Sequence, residues 1–175
     1  IHEGSKMSMD IKEDVFHLDY KLETDRELHN TFMNTLLDTG EYEILEITKI
    51  NKIGKDKYKY ITLSNKGTDI LPVGFGAGGK LGNYDMFRMN YERQFFSYSS
   101  DEEQKIKDLS GLFQYPKVYF DDIKKFVSNG TFNKIHKLLE DLKDKELMSI
   151  DKDHIELKGD GLFWGNTIGR EVISI

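Results

Sequence analysis

Leu28, Phe32, Met33, Leu36 and Leu37 recur three and four residues apart, which lays one apolar stripe along a helix over residues 25–38. Thr24-x-x-Glu27 reads as a capping box at its start, each side chain satisfying a free backbone amide, and Gly40 supplies a left-handed stop. Beyond it the period shortens. Residues 42–50 are rich in β-branched and large side chains, residues 51–54 turn, and residues 57–64 alternate through Tyr58, Tyr60 and Thr62, so both runs read as strands. Asn65-Lys66-Gly67 breaks the pattern before a third strand over residues 69–73. Residues 84–89 form a fourth short strand, and residues 91–98 a short helix or turn packing through Phe95 and Phe96. Residues 1–20 keep no period and read as irregular.

Ser97-Tyr98-Ser99-Ser100 is a polar break, and it divides the chain into residues 1–98 and 99–175. Ser100-x-x-Glu103 is a second capping box, followed by Ile106, Leu109 and Phe113 on one helical face, and Pro116 ends that connection. Residues 121–127 read as a short helix, Asn129-Gly130 as a turn, and Phe132, Ile135, Leu138, Leu139 and Leu142 as the apolar side of a third helix. Residues 147–150 and 154–157 make a hairpin around Asp151-Lys152-Asp153, and residues 161–173 close the chain as a helix. Three helices and a hairpin form a winged-helix-like arrangement, whose obvious reading is DNA binding. The charges oppose it. Lys134, Lys137, Lys143 and Lys145 are offset by Glu140, Asp141 and Asp144, and the helix has no arginine to read guanine edges. A solvated face on a packing or docking module is the stronger reading.

Function is sought, within residues 1–98, at Asp69-Ile70-Leu71-Pro72-Val73-Gly74-Phe75-Gly76-Ala77-Gly78-Gly79-Lys80-Leu81-Gly82-Asn83, where an apolar run feeds five glycines within nine residues. Glycine weakens a strand, so such a cluster belongs where the backbone turns sharply or lies close to a ligand. A plain tight turn is the simple alternative. Gly74-x-Gly76-x-x-Gly79 fits a dinucleotide fingerprint, but Leu81-Gly82-Asn83-Tyr84-Asp85 opens no helix. Gly74-x-x-x-x-Gly79-Lys80 fits a P-loop until Leu81 replaces the magnesium-binding hydroxyl. Tyr84, Phe87, Tyr91 and Tyr98 are placed to line the pocket of a flat ligand, although an aromatic cluster is more often core.

Composition narrows the classes. The chain of 175 residues has 12% aromatic and 32% charged residues, as a folded domain does, and its net charge of -6 disfavours nonspecific nucleic-acid binding. No apolar run reaches transmembrane length and no signal-peptide pattern opens the chain, so a cytoplasmic protein without a membrane partner is expected. His2, His17, His136 and His154 are isolated from one another and suggest no metal site. There is no cysteine, which excludes disulfides, thiolate zinc and thiolate-held iron–sulfur clusters on this chain.

The glycine-rich stretch, with Tyr42-Glu43-Ile44 upstream and Leu157-Lys158-Gly159-Asp160-Gly161-Leu162-Phe163-Trp164-Gly165-Asn166-Thr167-Ile168 downstream, resembles the C-terminal half of oxygen-independent coproporphyrinogen III oxidases and their radical S-adenosylmethionine relatives. Gly4-Ser5 is similar to a segment after a late strand of the family's partial barrel. Leu71-Pro72, Gly76-Ala77-Gly78-Gly79 and Gly82-Asn83-Tyr84 look most like the branch that opens haem anaerobically by radical methyl transfer. The resemblance implies an α/β (α+β) fold: the C-terminal strands and helix of a partial radical SAM barrel in residues 1–98, then a winged-helix-like module in residues 99–175. It also implies S-adenosylmethionine lying against Gly76, Ala77, Gly78 and Gly79, with Gly78 the nearest backbone contact.

The family's cluster is held by a CxxxCxxC motif, and none of those cysteines is present. A 4Fe–4S cluster is therefore expected only in a complete protein, with this chain its C-terminal fragment and the missing N-terminal radical SAM part its partner. A non-Met start agrees with that expectation. The substrate implied is a porphyrin or haem. No catalytic residue is assigned. The alternative is a haem or porphyrin carrier, which needs only aromatic walls and cations for the propionates; Lys80, Arg88 and Arg93 are the candidates. A winged-helix regulator is a third reading.

Overall fold

Residues 6–13 and 21–175 are described by the structure, a computed structural model. His2, Gly4-Ser5 and His17 lie outside the described residues. Within the stretch expected to be irregular, α1 (Lys6–Lys12) is a short helix. α2 (Leu22–Leu37) begins three residues earlier than its apolar stripe suggests, with Lys21 as N-cap, so Thr24 falls inside the helix and makes no capping box. Met33 is buried in the core, whereas Leu28 and Phe32 are 65% and 58% exposed one turn apart. The apolar stripe of α2 is thus split between the core and an exposed face.

β1 (Tyr42–Glu46) and β2 (Lys49–Lys52) form an antiparallel hairpin that turns at Ile47-Thr48, not at residues 51–54. The cause is tertiary: Ile47 is buried, and its amide donates to the Gln114 carbonyl at 3.0 Å, which pulls the chain out of strand geometry. The second expected strand is a helix, α3 (Lys59–Asn65). Its alternation lost to packing, because the Asn65 side chain bonds Glu46 at 3.1 Å and the Asn65 carbonyl lies where a Cβ on Gly111 would stand, at 2.4 Å.

The expected strand at residues 69–73 reduces to a single pairing of Ile70 with Lys80. Pro72 has no amide to continue the ladder. The glycine stretch is itself a strand: β3 (Ala77–Leu81), β4 (Tyr84–Arg88) and β5 (Gln94–Tyr98) form an antiparallel meander in that order. Gly82-Asn83 is the two-residue turn between β3 and β4, with Gly82 at φ +53°. β5 corrects the expected helix or turn at residues 91–98; it is an edge strand exposed along its whole length.

α4 (Asp101–Leu112) starts on the expected capping box, Ser100 Oγ accepting from the Glu103 amide at 3.2 Å and Glu103 Oε2 accepting from the Ser100 amide at 2.7 Å. Leu109 and Phe113 enter the core, while Ile106 stays exposed. β6 (Lys117–Tyr119), which follows Pro116, had no sequence signal. α5 (Phe120–Lys124) and α6 (Asn129–Lys143) come next. Asn129-Gly130 is the first turn of α6 rather than a separate turn, because Ser128 caps it by accepting from the Thr131 amide at 3.2 Å.

β7 (Met148–Ile150) and β8 (His154–Leu157) make the expected hairpin, and β6 completes a sheet of order β6-β8-β7. The final helix breaks at Trp164 into α7 (Asp160–Phe163) and α8 (Gly165–Ile173). Phe113, Ile123, Ile135, Leu139 and Ile155 are completely buried, and Met33 and Ile47 join the same cluster from the first half. The result is a mixed helix and strand fold with open sheets, every strand pair among the described residues being antiparallel.

Candidate functional site

β3 lies between two layers. Successive side chains of a strand point to opposite faces, so Gly78 and Lys80 face one side with Phe87 and Asp85 of β4, while Ala77, Gly79 and Leu81 face the other. On the first side α3 and α4 close over the strand and leave a cavity of about 240 Å³. Gly78, Gly79, Lys80 and Asp85 form its floor, with Gln104, Lys107 and Asp108 of α4 opposite and Ser64 and Asn65 of α3 at the side.

The glycines have different reasons to be glycine. Gly74 and Gly76 take φ values of +94° and +68°, in the region that favours glycine. A Cβ on Gly79 would stand 2.1 Å from the Ile70 carbonyl oxygen and 2.7 Å from Pro72 Cδ, so the fold itself demands glycine there. Gly78 is unlike them. Its φ is unremarkable, and a Cβ would meet only Phe87 Cδ2 at 3.7 Å and the Met86 carbonyl at 3.9 Å, both ordinary contacts. No neighbour within the fold forbids a side chain at Gly78, which faces the cavity.

The walls carry matched charge. Lys80, with a side chain 17% exposed, has its Nζ 3.8 Å from Asp108 Oδ1, and that carboxylate also accepts from Gln104 Nε2 at 2.8 Å. Lys107 Nζ donates to Asp85 Oδ2 and, at 2.7 Å, to Ser99 Oγ. Ser99 is buried, its amide donating to the Asn83 carbonyl at 2.9 Å, which ties the end of β5 to the β3–β4 turn. Two ammonium groups and two carboxylates therefore face one small space beside exposed backbone. Such a wall suits a ligand that carries both charges.

Sequence reasoning named Lys80 but missed Asp85, Gln104, Lys107 and Asp108. The signal was present for one of them: Lys80 and Asp85 flank the Gly82-Asn83 turn and pair across the hairpin. The α4 residues had none, since they lie on the polar side of an amphipathic helix whose orientation only packing decides.

The structure does not gather the three proposed cations. Arg88 pairs with Ala77 at the far end of the hairpin and on the opposite face from Lys80. Arg93 is exposed in the β4–β5 turn, its amide donating to Asn90 Oδ1 at 2.8 Å. Nor are the aromatic residues core. Tyr84 and Tyr98 pair at 5.3 Å at one end of the sheet, Tyr91 stacks edge-on against Phe75 at 4.2 Å at the other, and all are largely exposed. Phe87 is on the opposite face from Tyr84, so the four line no common pocket.

Other titratable groups are held by partners outside the cavity. His154 Nδ1 lies 2.7 Å from Asp153 Oδ1, and that hydrogen bond holds the Asp153 carboxyl below the usual aspartate range. His136 sits against the Phe120 and Phe132 rings. Buried Glu46 accepts from Lys49 Nζ at 2.6 Å, which raises the lysine above its ordinary value. Among the described residues no group of three His, Cys, Asp or Glu side chains could hold a metal ion. None of their helices is long and apolar enough to cross a membrane.

No protein-family model matches the chain, and no curated protein does. Among solved structures it is similar to coproporphyrinogen III oxidase (HemN) from Escherichia coli, described as a radical SAM enzyme, with a TM-score of 0.58 at 13% sequence identity. The likeness covers 82% of this chain and 40% of that one. At that identity it is a likeness of fold, and the chain spans well under half of the enzyme's length.

Proposed function

We propose that this chain is the C-terminal portion of a radical S-adenosylmethionine enzyme acting on a porphyrin, and that the cavity under β3 receives the amino-acid end of the cofactor. The observation that carries this reading is Gly78, a strand glycine that faces a charged cavity and that no contact within the fold requires. The likeness of fold to a radical SAM coproporphyrinogen oxidase supports it. Haem opening by radical methyl transfer is the reaction favoured by the Leu71-Pro72 and Gly82-Asn83-Tyr84 motifs, with oxidative decarboxylation of coproporphyrinogen III the other.

The residues fit one implied group and not the other. S-adenosylmethionine, when bound, supplies the organic radical. Its amino-acid end carries an ammonium and a carboxylate, which Asp85 and Asp108, and Lys80 and Lys107, can meet while Gly78 offers bare backbone. Gly76 and Ala77 would serve by turning the chain into β3, and Gly79 by letting residues 70–72 support it from behind. A 4Fe–4S cluster does not fit, because the chain has no thiolate. The cluster belongs in this proposal to a further N-terminal radical SAM part. The exposed faces of α2 and of the β3–β4–β5 sheet support that partner, since monomers rarely leave such apolar area open. Residues 1–98 then form the cofactor-side scaffold, and the winged-helix-like residues 99–175 cover the substrate.

Titration calorimetry of S-adenosylmethionine against this chain and against Gly78→Val, beside melting curves, tests the reading. The variant should bind at least about tenfold more weakly, or about 1.4 kcal/mol, and melt close to the parent because the fold has room at that position. Equal affinity in a folded variant would remove Gly78 from the site. Haem binding without S-adenosylmethionine binding would favour the carrier, which the exposed Phe75–Tyr91 pair and Arg88 at the same end of the sheet would serve.

A further inference from the structure

A second cavity, of about 350 Å³, opens where β1, α3, the end of α4 and β6 converge. It shares only Asn65 with the lining of the first. Its volume falls at the lower end of the roughly 300–1,000 Å³ typical of small-molecule sites. Ile44, Leu45, Leu112 and Val118 make the interior apolar, and Lys66 and Lys117 stand exposed at the mouth.

Glu156 stands directly across from Lys117 in the β6–β8 pairing, but its carboxylate lies 3.9 Å from Lys158, so Lys66 and Lys117 remain in excess around this mouth. Among the described residues neither Lys66 nor Lys117 has an ion-pair partner. The lining carboxylate, Asp122, lies 2.5 Å from Lys125. Glu46, behind the cavity, is held by Lys49 and Asn65. Asp153 feels Lys117 only as the smallest of its influences, its own partner being His154 at 2.7 Å. Tyr115 adds a polar handle. Its hydroxyl oxygen accepts from Asn65 Nδ2 at 3.4 Å, which leaves the phenolic hydrogen available to a ligand.

We propose that this cavity binds a small amphipathic carboxylate. A hydrocarbon or aromatic body lies among Ile44, Leu45, Leu112 and Val118, and the carboxylate sits at the mouth between Lys66 and Lys117, accepting from the Tyr115 hydroxyl. Burial of the body supplies the affinity and the two ammonium groups select an anion, because an apolar pocket by itself favours the neutral alcohol, whose desolvation costs far less than that of a carboxylate. A doubly charged or fully polar ligand is disfavoured, since the interior offers it no further partner. The site is independent of the glycine-strand reading.

The test uses 1-naphthoate as probe, titrated calorimetrically into the parent chain, into Lys66→Glu/Lys117→Glu and into Lys134→Glu/Lys137→Glu. The last pair makes the same change of charge on exposed positions of α6 outside the cavity. Saturable binding to the parent should weaken at least about tenfold in the first variant and less than about twofold in the second, and 1-naphthalenemethanol should bind the parent at least about tenfold more weakly than naphthoate. Acetate, which lacks the apolar body, should not compete. Absence of saturable binding to the parent at millimolar probe would overturn the proposal. So would equal loss in both lysine pairs, or equal affinity for the alcohol. Circular dichroism of both variants, whose changes are on the surface, separates loss of the site from loss of the fold.

Discussion

Adjacent glycines in β3 should respond to alanine in opposite directions. At Gly79 the new methyl group would lie 2.1 Å from the Ile70 carbonyl oxygen, against an ordinary contact of 3.4–4 Å, so the segment carrying Ile70 and Pro72 must retreat by more than an ångström. That movement breaks the paired bonds from the Ile70 amide to the Lys80 carbonyl at 2.7 Å and from the Lys80 amide to the Ile70 carbonyl at 2.9 Å. Two such bonds contribute about 0.5–1.5 kcal/mol each, and overpacking adds about 1–3 kcal/mol. The reduced entropy of the unfolded chain returns only about 0.4–1 kcal/mol, leaving a net loss near 3 kcal/mol. At Gly78 the methyl group meets nothing closer than 3.7 Å, so the entropic gain stands alone and the variant should be more stable than the parent by about 0.4–1 kcal/mol. Urea unfolding followed by circular dichroism measures both. With a slope of about 1–3 kcal/mol/M, Gly79→Ala should lower the midpoint by at least about 1 M and Gly78→Ala should raise it slightly. A parent-like midpoint for Gly79→Ala would refute the reasoning, because it would mean that residues 70–72 do not lean on the strand.

Leu139→Ala removes a completely buried side chain of α6 from the main core and should cost about 2–5 kcal/mol in the same urea assay, far more than Leu28→Ala on the exposed face of α2. Ser100→Ala should cost about 0.5–2 kcal/mol near neutral pH by removing the N-cap of α4. The same cap carries a pH dependence, since hydrogen bonds from the Ser100 amide and hydroxyl hold the Glu103 carboxyl below its ordinary 4.5. A folded-state value depressed below the unfolded one means a contribution fully present above pH 4.5 and lost as pH falls through the lowered value. Acid titration of stability should therefore be shallower below pH 4.5 in Ser100→Ala and Glu103→Gln than in the parent; a parallel profile would show that the cap does not titrate with folding.

Most signals that act within a few residues were legible from the chain alone, although Thr24-x-x-Glu27 fell inside α2 and Asn129-Gly130 in the first turn of α6. Ser100 and Glu103 satisfy each other's backbone amides, the stripe of Ile135 and Leu139 orients α6, and Asp151-Lys152-Asp153 turns a hairpin, because each needs only its own segment to be favourable. The candidate site was half legible. Five crowded glycines marked the place, but they could not reveal that the stretch is a strand, that Gly79 answers to Ile70 and Pro72 while Gly78 answers to nothing within the fold, or that Lys80 and Arg88 face opposite ways. Those distinctions depend on which elements pack together. Residues 57–64 alternate like a strand yet coil into α3 because the Asn65 side chain reaches Glu46 and α4 presents Gly111 to its carbonyl. The expected turn after β1 moved to Ile47-Thr48 because Ile47 is worth more in the core than in a ladder. Local propensity amounts to a few tenths of a kcal/mol per residue, and burial of one isoleucine to about 1.5–3 kcal/mol. Where the two conflict, the tertiary contact decides.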